Sequence, residues 1–191
     1  MRAALLLSAA GVFLSPSAVA EPASYTIDAS HTHVQFSVMR FGFNQIIGEF
    51  QELSGEIVLD EDAPESSSVR VTIDTTSLES GDPLRNEHVS GPAWLDTNSH
   101  PTMSFASTNV EQTSEMTALI TGDLTIKGIT QPVVLNATLN RIGTDPVSRG
   151  QAAGFSATAQ ISRAAFGIDV AGNLIGDEVS IRIEALALTG G

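Results

Sequence analysis

The 191-residue sequence predicts an all-β fold, either a closed antiparallel barrel or a two-sheet sandwich, with one short helix. Three observations lead there. Apolar residues alternate strictly with polar ones in segment after segment, the period-2 pattern of strands with one buried and one wet face. The long helical spacings that separate the strands of a parallel α/β sheet are missing. The connections are short clusters of Asp, Gly, Pro and Ser.

At the N-terminus, Met1-Arg2 supplies one positive charge and Ala3 to Leu14 is an apolar or small-residue run. Ser15-Pro16-Ser17 breaks that run, and Ala18-Val19-Ala20 forms a small-x-small cleavage site before Glu21. This is the layout of a secretory signal peptide over residues 1–20, cut after Ala20, and the run is shorter than the roughly 20 residues of a membrane span. The mature chain, residues 21–191, is expected to be one domain in an exported, periplasmic protein. With no cysteine in the chain, neither a disulfide nor a thioether lipid anchor can form, so the core alone must hold the fold.

Along the mature chain, Val34, Phe36 and Val38 alternate with Gln35 and Ser37, and Leu53, Gly55, Ile57 and Leu59 with Ser54 and Glu56. Val69, Val71 and Ile73 follow, then Met103 and Phe105, then Val133, Leu135, Ala137 and Leu139. Phe155, Ala157, Ala159 and Ile161 form the next run, and Val179, Ile181, Ile183 and Ala185 the last. Only Ser80 to Pro101 is a long connection. It carries the helix: Asp82-Pro83 supplies an N-cap and a first-turn proline, and Gly91-Pro92 stops it. Eight or nine strands result, and periodicity does not choose between barrel and sandwich.

Charge narrows the function classes. Nine Lys and Arg stand against 22 Asp and Glu, a formal charge of −13. That balance does not suit a nucleic-acid surface, and it opposes stable association with anionic lipid. An apolar ligand is unaffected by net charge. Motifs for hydrolase elbows, phosphate loops, zinc-protease helices and calcium loops do not occur. His31 and His33, two apart on a predicted strand, share a face that a metal-dependent enzyme could use if further ligands joined them. The aromatics carry more information. Phe36, Phe41, Phe43 and Phe50 fall close together, with Trp94, Phe105, Phe155 and Phe166 later. They suit a filled core. They also suit an apolar pocket whose mouth is Met39-Arg40-Phe41-Gly42-Phe43, with Arg40 or Arg85 beside a polar head group.

Several segments, in order, resemble one family. Ile27-Asp28-Ala29-Ser30-His31-Thr32 with Phe36-Ser37-Val38, then Gly48-Glu49-Phe50 and Leu53-Ser54-Gly55, are similar to the opening of the YceI-like polyisoprenoid-binding proteins. Arg85-Asn86-Glu87-His88-Val89 resembles the family's helix, and His100-Pro101-Thr102-Met103-Ser104-Phe105 its following strand. Gly122-Asp123-Leu124-Thr125-Ile126-Lys127-Gly128-Ile129-Thr130-Gln131-Pro132 is the most specific stretch, and Arg163-Ala164-Ala165-Phe166-Gly167 matches the family's ending. The resemblance spans about Tyr25 to Ala185. It departs at Arg40, Asn86 and Val89, where the family often has His, Asp and Leu.

The resemblance implies an extended, lipocalin-like, eight-stranded antiparallel β-barrel with one short helix in a long loop. It further implies a periplasmic carrier that is not an enzyme, needs no cofactor or metal, and binds a long isoprenoid lipid, either a polyprenyl phosphate or an isoprenoid quinone. On this reading Val34, Phe36, Val38, Ile57, Val71, Ile73, Phe105, Leu135, Phe155 and Ile183 line a tunnel. Arg40, Phe41, Phe43, Arg85, His88, Trp94 and Phe166 complete the binding residues. Arg85 and His88, three apart on the helix, face one site or else pin the helix to the barrel. A homodimer is compatible with the sequence, though no residue specifies one. A packed sandwich acting as an interaction module, and a metal-dependent enzyme using His31 and His33, are the competing readings.

Overall fold

In the computed structural model, which describes residues 21–189, eight strands close into an antiparallel barrel. The expected signal peptide over residues 1–20 lies outside the described residues. The strands are β1 (Ala23–Ile27), β2 (His33–Arg40), β3 (Asn44–Phe50), β4 (Leu53–Leu59), β5 (Ser68–Asp74), β6 (Leu78–Glu79), β7 (Thr102–Ser114), β8 (Thr117–Ile126), β9 (Ile129–Thr144), β10 (Gln151–Ser162) and β11 (Ile175–Leu188). The ring runs β1-β4-β5-β7-β8-β9-β10-β11 and closes where Thr26 pairs with Leu188 and Ile27 with Ala187. A sandwich is thereby excluded, since every ring strand has a neighbour on both sides.

The remaining strands branch from β11. Its first half pairs with β2, from Ile175 opposite Arg40 to Glu184 opposite His33. Next, β2 folds back onto β3, and β3 pairs briefly with β6 through Phe50 and Leu78. Alternation alone missed β1, β3, β6 and β8. The segments Ile46 to Phe50 and Ala118 to Ile126 each carry a glycine at an inward position, Gly48 and Gly122, which interrupts their apolar register.

Helix α1 (Pro83–Ser90) is built as its sequence dictates. The Asp82 carboxylate accepts from the N–H groups of Leu84 at 3.0 Å and Arg85 at 3.4 Å, Pro83 occupies the first turn, and Gly91 ends it. The inward face of the barrel is mainly apolar, with charged side chains toward its two ends. One cluster gathers Phe50, Ile73, Met103, Phe105, Leu124, Phe166 and Ile168; a second gathers Tyr25, Ile27, Ala153 and Ala187 where β1 closes the ring.

His31 does not share a strand face with His33. It ends a 3₁₀ turn, Ala29–His31, capped by the Asp28 carboxylate, and β2 begins only at His33. Asp28 wins because its side chain satisfies the Ser30 N–H, so the chain turns where an extended strand is expected. His31 Nδ1 then sits 2.8 Å from Asp28, whereas His33 Nδ1 faces Glu49 across the sheet at 3.2 Å. Among the described residues, no three His, Asp or Glu side chains are grouped to hold a metal ion.

Candidate functional site: an apolar tunnel

The barrel is hollow. Its lumen is a cavity of about 1030 Å³, at the top of the roughly 300–1,000 Å³ range of small-molecule sites. The walls come from the inward parity of the strands: Val34, Phe36 and Val38 from β2, Ile57 from β4, Val71 and Ile73 from β5, and Phe105 from β7. Leu135 from β9, Phe155 from β10 and Ile183 from β11 complete them, Ile183 directly paired with Val34. A strand of ten residues, the length of β8, rises roughly 33 Å. The lining runs from Val133 to Ile142 along β9, so the lumen follows the tilted strands for most of their length.

Glycine keeps it open. Phe36 pairs directly with Gly48 across β2 and β3, and a Cβ on that glycine would overlap the Phe36 ring. Phe105 lies over Gly122 in the same way. Each ring rests against bare backbone in the wall and does not reach across the middle. The alanines of β10, Ala157 among them, add room where larger side chains would meet.

The two ends differ in charge. At one end the lining includes Arg40, Arg85 and Arg163 against the single carboxylate of Asp82, which caps α1, together with Phe41, His88 and Trp94. Contacts tie these groups to a single rim. The rings of His88 and Trp94 are 5.7 Å apart, and the Arg163 guanidinium lies 5.6 Å from the Trp94 ring. Arg163 also donates to the Ile175 carbonyl at 2.9 Å, and Ile175 pairs with Arg40. At the far end the lining carries Asp60, Glu61 and Glu115, beside Met116 and Ile142.

Arg163 is 6% exposed, and its guanidinium donates to four carbonyl oxygens, Gly176 at 2.9 Å, Ile168 at 2.6 Å, Val170 at 2.8 Å and Ile175 at 2.9 Å, while its charge also helps hold the Asp177 carboxyl below its usual range. The sequence expectation omits it, although it simply continues the inward parity of Phe155, Ala157, Ala159 and Ile161. Arg85 is held by Ser80, Nε to Oγ at 2.9 Å and Nη2 to the carbonyl at 2.6 Å, so it pins the start of α1 while lining the lumen. The Glu79 carboxyl nearby is held below its usual range, chiefly by the Gly81 N–H and then by Asn86, with Arg85 adding a smaller pull.

Every residue expected to bind lines the cavity except Phe43. Phe43 is 86% exposed. The three-residue turn Phe41-Gly42-Phe43 puts Phe41 at φ 55° and Gly42 at φ 71°, which aims Phe41 at the lumen and leaves Phe43 out of the lining. Phe166, by contrast, is 1% exposed and packs at the base of the cavity.

Comparison with known proteins decides the family. The YceI-like domain matches residues 25–187, the barrel from β1 almost to the end of β11. The chain belongs to that family. A UPF0312 protein of Pseudomonas savastanoi pv. phaseolicola is 36% identical over 170 residues, covering 88% of each chain. A UPF0312 protein of Pseudomonas putida is 38% identical over 162 residues, covering 84% of each. Two solved structures share the fold. Burkholderia cenocepacia BcnA superposes with a TM-score of 0.77 at 24% identity, over 84% of this YceI-like chain and 98% of that one. A polyisoprenoid binding domain from Saccharophagus degradans superposes with a TM-score of 0.68 at 14% identity, over 87% and 98%.

Proposed function

We propose that this YceI-like protein is an exported carrier that holds one long isoprenoid lipid in its barrel, with the tail along the lumen and the head at the arginine end. The observation that carries this reading is the predominantly apolar lining of a cavity that follows β9 from Val133 to Ile142. An isoprenoid tail in water exposes a large apolar surface, and each CH₂ moved into a dry wall gains about 0.8 kcal/mol. A channel along the strands buries such a chain end to end, where a compact metabolite would leave most of it empty. The polyisoprenoid-binding domain among its structural neighbours supports the same class of ligand.

The charges orient the lipid. A phosphate or other electron-rich head is favoured beside Arg40 and Arg85 and disfavoured beside Asp60, Glu61 and Glu115. The function proposed is binding and transport, with no bond made or broken. Export to the periplasm rests on the leader pattern of residues 1–20. Purifying the protein from its native source, extracting it with organic solvent and weighing the extract by mass spectrometry tests the proposal. A prenyl lipid near one per chain is expected. Protein that repeatedly yields none would refute the carrier.

A further inference from the structure

We infer that the arginine end of the tunnel is a docking surface for a lipid bilayer, so that the mouth opens onto the membrane from which a chain would slide. The inference builds on the carrier reading. Among the described residues, large exposed apolar side chains gather at this rim: Phe43 at 86%, Leu84 at 77%, Leu174 at 55% and Phe41 at 42% exposure. They come from three separate segments, the β2–β3 turn, the first turn of α1 and the loop before β11. Phe41, Leu84 and Leu174 also line the cavity, so the apolar rim is continuous with the lumen.

The rim is braced. The Phe41 N–H donates to the Leu174 carbonyl at 2.7 Å, tying the turn to the loop. Phe41 holds φ 55°, a left-handed conformation unfavourable to a bulky side chain. Such strain persists only where the surroundings enforce it, and here it sets Phe41 at the edge of the lumen with Phe43 beyond it in solvent. The Arg40 guanidinium lies 4.0 Å above the Phe41 ring, a cation able to reach lipid phosphates while the ring enters the acyl boundary.

Charge selects this end. The opposite rim presents Asp60, Glu61 and Glu115, which phosphate headgroups repel, and the net charge of −13 works against diffuse adsorption of any other face. A docked molecule is therefore held by a few inserted side chains at one end.

Flotation with phosphatidylcholine vesicles is the test. Wild-type protein should float with the vesicles, and raised salt should not release it, because apolar burial is not screened. Replacing Phe43, which lies outside the lumen, by Ser should weaken binding about tenfold or more. Val147→Ser, which removes an equally exposed apolar side chain from a distant loop, should change nothing. Failure of wild-type protein to float, or equal binding by Phe43→Ser, would overturn the inference. So would sedimentation showing that Phe43 instead seals a dimer which does not float. Loading with a prenyl alcohol from detergent separates the two claims. Phe43→Ser should load as wild type does, and loading that fails for both would strike the carrier while flotation still reads the surface.

Discussion

A guanidinium buried in a hydrocarbon wall is costly unless its donors are met, and at Arg163 four carbonyls meet them. Ile168 and Val170 belong to the loop that carries Leu174 to the rim, and Ile175 and Gly176 open β11, so one side chain ties the loop to the strand at the mouth of the tunnel. Replacing Arg163 by Leu should cost about 3 kcal/mol or more, read as a lower urea midpoint, because the carbonyls lose their donors in a buried place. Ring size matters at the walls. Phe36→Trp and Phe155→Trp should reduce lipid load more than melting temperature, since the added volume enters the lumen. Unchanged load with the fold intact would show that these rings do not bound the bound chain.

At the scale of elements, alternation made the main ring strands and α1 legible. Val69-Val71-Ile73 and Val179-Ile181-Ile183 state their inward face outright, and Asp82-Pro83 with Gly91-Pro92 marks both helix ends. What alternation hid was the use of glycine as wall. Gly48 and Gly122 read as breaks in a strand pattern, yet they are positions where an aromatic from the next strand lies flat. Gly48→Ala should therefore push Phe36 into the lumen and lower lipid uptake, because the nearest atoms to a Cβ there all belong to that ring. Adding Phe36→Leu to it should restore uptake, and a double variant no better than the single would contradict the pairing. The misplacement of His31 has a local cause too: capping by Asp28 took precedence over strand propensity. Phe43 falls outside the lining because the turn after β2 throws its last side chain outward, which the composition of Met39-Arg40-Phe41-Gly42-Phe43 does not reveal.

For the molecule as a whole, stability has a definite acid edge. Asp28, Glu49 and Asp177 are all held below the usual carboxylate range. Ser30 and His31 do this for Asp28, Gln35 and His33 for Glu49, and Ser162 with the Ala164 N–H for Asp177. A depressed folded-state value stabilises above the unfolded one and is lost as pH falls through the folded one. Melting temperature should thus stay level from neutral pH to about 5 and fall below about 4. Ring closure was not readable from alternation, since it depends on β1 meeting both β4 and β11. Whether the interior is empty depends on volumes summed around the ring, which a one-dimensional pattern does not carry.

The length of the cavity is tested most directly by measuring affinity for prenyl alcohols of increasing chain length. Each added five-carbon unit should tighten binding by about tenfold or more until the lumen is full, then add nothing. Affinity that levels off at the shortest chains, or no binding at any length, would mean that the barrel does not hold an extended lipid.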